Sequence, residues 1–169
     1  MSDNGFTLIG LEGAEQMENN VSHELILKHI EGLVKDEPNW VANLSNAAAL
    51  LNESLDNINW VGFYLWDEES EQLVLGPFQG RVACIRIDSG RGVCGTAFEK
   101  GETIVVSDVN EFPGHIVCDS ASKSEIVVPL IKDGKTIGVL DVDAPVLDRF
   151  GDKEKEMLEA FVEVFLKYA

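Results

Sequence analysis

The hydrophobic period of this chain changes twice, and that pattern leaves few architectures open. From about Glu15 to Lys35 the apolar residues Val21, Leu25, Ile26, Ile30, Leu33 and Val34 recur at helical spacing. Pro38 then opens a second helical stripe of Trp40, Leu44, Ala48, Leu51 and Leu55. Beyond it the period drops to two. Strands are predicted at Asn59–Trp66, Gln72–Leu75, Val82–Ile87, Thr103–Val106, Glu125–Ile131 and Lys135–Asp143. A short helix, Gly92–Glu99, and a loop, Asn110–Ser124 with Pro113-Gly114 as its turn, interrupt them. The helical period returns after Asp152, an N-cap, with Leu158, Phe161, Phe165 and Leu166 facing inward. This order predicts an α+β domain: a central, mostly antiparallel sheet with the N- and C-terminal helices packed on one face. Ile126, Val128 and Leu130 alternate with Val127, Pro129 and Ile131, so the other face needs cover as well. The 110–124 loop is the natural cover, and a loop of that length over a sheet is often functional. Residues 1–13, with three glycines, read as a flexible arm, which leaves 14–169 as one domain.

Charge narrows the partners. Thirty acidic residues against thirteen Lys and Arg give a net charge of −17, which repels nucleic-acid phosphates and anionic bilayers. The N-terminus has no basic region followed by an apolar stretch, and no apolar run approaches a bilayer span, so a cytoplasmic protein is expected. In that compartment thiols stay reduced unless they turn over. The three cysteines, Cys84, Cys94 and Cys118, form no C-x-x-C pair and sit among small or polar residues, as reactive thiols do. An odd count argues against a static disulfide framework. A zinc site built from Cys84, Cys94, His115 and Cys118 would fit no usual finger or ribbon spacing, so no metal is expected.

Several runs of residues resemble one known family. They are Asn59-Trp60-Val61-Gly62-Phe63-Tyr64-Leu65, Gly76-Pro77-Phe78-Gln79-Gly80 followed by Ala83-Cys84, Gly90-Arg91-Gly92-Val93-Cys94-Gly95, Pro113-Gly114-His115-Ile116-Val117-Cys118-Asp119 and Leu140-Asp141-Val142-Asp143. Together they are similar to the free methionine-(R)-sulfoxide reductases of the GAF-domain type, from roughly Glu15 to the C-terminus. The resemblance implies a GAF-like domain with a loop-covered pocket. It implies that Cys118 attacks the sulfoxide sulfur, that Cys84 resolves the resulting sulfenic acid as a disulfide, and that Cys94 is an auxiliary or alternative resolver. Thioredoxin as external reductant, no bound cofactor, a preference for the R epimer and a homodimer are implied in the same way.

The chemistry can be followed residue by residue. Sulfoxide reduction needs a thiolate and a proton donor for the departing oxygen. Glu125, helped by Asp143, is the candidate donor. A three-residue loop Lys132-Asp133-Gly134 is predicted to pair Glu125 with Asp141, and so to place Glu125, Asp141 and Asp143 on one face. Clustered carboxylates cannot all ionise cheaply, so one should keep its proton while the remaining charge suits the substrate ammonium. Trp60 and Tyr64, with Gly62 between them, would leave an aromatic slot for the substrate methyl. The loop amides around Ile116 and Val117 would take its carboxylate. His115 is a loop residue that could depress the thiol pKa. The competing readings are a ligand-binding sensor domain without catalysis and a thiol switch acting on a partner protein.

Overall fold

A computed structural model describes residues 7–169, with side chains from residue 22 onward. Of the expected arm, residues 1–6 lie outside the described residues, and α1 (Thr7–Val34) begins within the rest of it. Among the described residues no helix is long and apolar enough to cross a membrane.

Three helices cover one face of a six-stranded sheet. On α1, Ile26, Ile30 and Val34 are buried one turn apart, whereas Leu25, expected on the same stripe, is 60% exposed. α2 (Trp40–Ser54) begins two residues after Pro38. Asn39 is its N-cap, and the Asn39 side chain accepts the Ala42 N–H at 2.9 Å. α4 (Asp152–Tyr168) is likewise capped by Gly151 and not by Asp152. The Glu154 carboxylate accepts the Gly151 N–H at 2.9 Å, and Asp152 lies in the first turn, where its charge meets the positive end of the helix.

The strands are β1 (Trp60–Asp67), β2 (Gln72–Gly80), β3 (Arg86–Asp88), β4 (Ile104–Val106), β5 (Ser124–Lys132) and β6 (Lys135–Ala144). Their order is β3-β2-β1-β6-β5-β4, and every neighbouring pair is antiparallel. Two strands differ from expectation. β2 runs on through Gly76-Pro77-Phe78, a register shift opposite Phe63 absorbing the irregularity. β3 keeps only three residues, because residues 82–84 leave the sheet, while Ile85 O still accepts the Leu75 N–H of β2 at 2.9 Å.

The β5–β6 hairpin corrects one prediction and keeps its consequence. Lys132 pairs with Lys135 across a two-residue turn, Asp133-Gly134, in which both residues have positive φ (52° and 76°). That is the primed turn favoured between twisted strands, not the three-residue loop expected. Alone it would turn Glu125 away from Asp141. However, Ile131 pairs with Thr136 and Leu130 with Gly138, so Ile137 is an extra residue in β6. This bulge restores the parity. Glu125 pairs with Asp143, not Asp141, and all three carboxylates still share one face.

Two apolar cores result. One joins α1, α2 and α4 to Val61, Phe63, Ile126, Val128, Leu130, Leu140 and Val142. The second lies on the opposite face, where Trp60, Tyr64, Val127 and Val139 meet α3 (Gly92–Lys100) through Val93, Cys94 and Ala97. The cover is therefore α3 as well as the 110–124 loop.

Candidate active site

Strand register assembles the site from residues far apart in sequence. Glu125 of β5, Asp143 of β6 and Trp60 of β1 form one row across three strands, and Val127, Asp141 and Gly62 form the next. Glu125 and Asp141 are each only 6% exposed. Cys94 reaches them from the first turn of α3, its Sγ donating towards Glu125 Oε1 at 3.9 Å. From the covering loop His115 Nε2 stands 3.7 Å from Glu125 Oε2. Among the described residues Asp141 Oδ1 is buried and has no hydrogen-bond partner, a costly arrangement for a carboxylate oxygen unless a ligand completes it.

Above this floor, Cys84 and Cys118 are joined by a disulfide, with Cα atoms 5.6 Å apart. Each half has its own tether. Trp60 Nε1 donates to Arg81 O at 3.1 Å and Tyr64 Oη donates to Cys84 O at 2.9 Å, which draws residues 81–84 off the sheet and over the rings. On the other side Asn59 Nδ2 donates to Asp119 Oδ2 (3.2 Å) and Ser122 Oγ (3.0 Å), holding the loop that carries Cys118. Gly92, at φ +62°, lets that loop close on α3, since a β-carbon there would stand 3.2 Å from Ile116.

Beneath the disulfide is a pocket of about 550 Å³, measured out to open solvent. Of the expected site residues, Trp60, Tyr64, Cys94, Ile116, Cys118 and the three carboxylates line it, and Cys84 is tied to it through Cys118. Val117 does not line it. Its side chain is 67% exposed, because the residues on either side of it turn inward. The aromatic slot is also absent. A β-carbon at Gly62 would lie 2.3 Å from Phe78 Cβ, and Trp60 stacks on both Phe78 and Tyr64, with centroids 5.2 and 5.9 Å away. The rings form a packed wall and leave no gap for a methyl group between them.

Residues 41–165 match the GAF domain family. The chain is 47% identical over 159 residues to the free methionine-R-sulfoxide reductase of Saccharomyces cerevisiae, covering 88% of each protein. It is similar to the solved reduced form of fRMsr of Staphylococcus aureus, with 55% identity, a TM-score of 0.83, and 86% of this chain and 94% of that one covered. It is equally similar in shape to the free methionine-R-sulfoxide reductase of Neisseria meningitidis solved with its substrate: 51% identity, TM-score 0.83, 86% and 87% covered. The chain belongs to the GAF-type free methionine-(R)-sulfoxide reductase family.

Within this family fold the electrostatics of the floor follow from burial. Desolvation, reinforced by the charge of Asp141, holds the Glu125 carboxyl well above its ordinary range. The Asp143 carboxyl is raised for the same two reasons. Burial lifts Asp141 to about 6, partly offset by hydrogen bonding from Glu125 and Cys94. Glu125 and Asp143 therefore hold their protons more tightly than free carboxyls do, and Asp141 carries charge above about pH 6. Burial also raises the Cys94 thiol, so it stays protonated. His115 departs from expectation. Burial lowers its pKa, so it is neutral at neutral pH and supplies no cation to a thiolate. Its Nε2 faces the Glu125 carboxyl at 3.7 Å. The sequence hint of this role was only its place in the covering loop, three residues before Cys118.

Proposed function

We propose that the protein reduces free L-methionine-(R)-sulfoxide to methionine and so protects against oxidative damage. It is an enzyme, an oxidoreductase acting on a sulfur group. The observation that carries the reading is a pair of cysteines bonded to each other over a pocket whose floor stores protons. The thiolate of Cys118 attacks the sulfoxide sulfur, and the oxygen takes a proton from Glu125. Methionine leaves with two electrons gained, and the oxygen stays on Cys118 as a sulfenic acid. The Cys84 thiol condenses with it, forming the S–S bond and releasing water. Thioredoxin, as external dithiol, returns two electrons and restores both thiols. No bound cofactor enters the scheme, because thiols carry the electrons.

The orphan oxygen of Asp141 suits the substrate ammonium. Backbone N–H groups near Ile116 and the first turn of α3 suit its carboxylate. Enclosing both ends of the amino acid would exclude methionine held in a peptide. Cys84 is the resolving thiol in this scheme and Cys94 a spare one. A cytoplasmic setting fits a dithiol-recycled enzyme, and a homodimer through the helices would cover Leu25 and Val41, which are 60% and 62% exposed.

The test is NADPH consumption with thioredoxin and its reductase on the two separated epimers of free methionine sulfoxide, with Cys118→Ser beside the wild type. Consumption on the R epimer alone, lost in the variant, is expected. No consumption on either epimer, with dithiothreitol failing as well, overturns the reading in favour of a ligand sensor. Activity on a peptide-bound sulfoxide overturns the enclosure argument.

A further inference from the structure

The reaction written above leaves Cys94 unused, although its thiol points into the pocket floor. Cys94 Sγ, one Glu125 oxygen and one Asp141 oxygen all lie within 4.8 Å of one another. The three residues are 5%, 6% and 6% exposed. They come from α3, β5 and β6, so their convergence is a property of the fold and not of a local turn. In a tetrahedral zinc site with sulfur at about 2.3 Å and oxygens at about 2.0–2.2 Å, neighbouring donors stand roughly 3.3–3.6 Å apart. The Cys94–Glu125 separation of 3.9 Å is close to that already.

A second, independent observation points to a ligand. Asp141 Oδ1 is buried in this cluster with no hydrogen-bond partner among the described residues. A divalent cation would complete it as well as an ammonium group would. The donor set selects the cation. Magnesium and calcium take oxygen ligands, whereas a thiolate beside carboxylates favours a borderline-soft ion. His115 Nε2, 3.7 Å from Glu125 Oε2, is at hand for a fourth position.

We propose that Cys94, Glu125 and Asp141 bind a thiophilic divalent cation, zinc in the cell, the Cys94 and Glu125 protons being released to solvent as it binds, and that the bound cation shuts the pocket to the sulfoxide substrate. The cation site stands on the geometry alone. The exclusion rests on the reading of Asp141 as the ammonium partner.

The experiment uses the oxidised protein, in which the Cys84–Cys118 disulfide leaves Cys94 as the one thiol among the three cysteines. Cadmium is titrated in, and the thiolate-to-cadmium charge-transfer absorbance is read. The band should saturate at about one cadmium per chain, be reversed by zinc, and vanish in Cys94→Ser. Asp141→Asn, which keeps the side-chain shape if the cysteine variant fails to fold, should weaken binding at least about tenfold. No band in the oxidised wild type, or equal affinity in Asp141→Asn, overturns the site. Free methionine sulfoxide should raise the apparent cadmium dissociation constant. An unchanged constant overturns the exclusion and leaves the cation site standing. Failure of the reductase reading would show as absent turnover, with the cadmium band unaffected.

Discussion

The two faces of the sheet are built from the same strands and do opposite work. On the helix-covered face, Val61, Phe63, Ile126, Leu130, Leu140 and Val142 are at most 1% exposed, and the core there holds no buried carboxylate among the described residues. One residue along each strand, on the other face, stand Trp60, Tyr64, Glu125, Asp141 and Asp143. The first face supplies stability through apolar burial, at about 25 cal/mol per Å² removed from water. The second gives up part of that gain to hold carboxylates where water cannot fully solvate them. Chemistry and stability are thus separated by a single step of register. The Ile137 bulge is the device that keeps the step in phase after a two-residue turn.

The separation is broken most completely from the loop side. Cys118→Ser should abolish turnover, because no other group described here can attack sulfur from that position. The residue is exposed, so unfolding of the reduced protein should shift by less than about 0.5 kcal/mol. Residual turnover would move the nucleophile elsewhere, and a large stability loss would mean that the loop is part of the core. The matching change on the helix face is Phe63→Ala. Phe63 is 1% exposed and stacks on Phe165 at 5.9 Å. Its loss should cost about 3–5 kcal/mol, read as a lower urea midpoint, while the fraction that stays folded retains its turnover. A fall in turnover per folded molecule would show that the two faces communicate.

Much of this division was legible in the chain. The helical stripes and the alternation in β1, β5 and β6 follow from apolar spacing, which burial enforces. What was illegible depends on tertiary contacts. Residues 82–84 were expected within a strand over Val82–Ile87, yet the Trp60 and Tyr64 hydrogen bonds to Arg81 O and Cys84 O pull them away. Gly76-Pro77 reads as a strand end, but β2 passes through it opposite a register shift. The hairpin carries two departures from expectation that cancel, a shorter turn and an added bulge, so the right face was reached through the wrong register. The pairing of Cys84 with Cys118 came from resemblance, since spacing alone left three pairings open. Of the site, the inward turn of His115 and the outward turn of Val117 have no periodic signal in an irregular loop.

A smaller change sharpens the contrast in charge. Asp141→Asn should stabilise the protein by about 1–3 kcal/mol near pH 8, because it removes a buried charge that has no cation beside it and one oxygen without a hydrogen-bond partner, and should weaken substrate binding. The pH dependence has a definite sign. The folded pKa of about 6 lies above the ordinary 3.8, so the native state binds the extra proton between these values. Stability is then highest on the acid side and falls as pH rises from about 4 through 6. Glu125 and Asp143, raised in the same direction, extend the fall to higher pH. Chemical denaturation of the disulfide form across this range should give a declining curve, shallower in Asp141→Asn. Equal slopes would remove Asp141 from the account.

The smallest expected effect on activity comes from a single oxygen on the site face. Tyr64 is packed like a core residue, 2% exposed and stacked on Trp60, yet its hydroxyl donates to Cys84 O at 2.9 Å. Burial, together with the carboxylates around it, raises that hydroxyl above its ordinary pKa, so it remains a donor at any working pH. Tyr64→Phe keeps the ring and removes the bond, at a cost of about 0.5–1.5 kcal/mol. Its neighbour Phe63 has only packing to lose, whereas Tyr64 also aims the resolving cysteine. The variant should therefore release methionine in the first turnover at the wild-type rate but form the disulfide more slowly. The sulfenic acid on Cys118 would persist, and a sulfenic-acid-specific reagent such as dimedone should capture more of it. Wild-type levels of capture would show that the Cys84 segment is positioned without the tyrosine, and that the second face orients its thiols by the loop tethers at Asn59 alone.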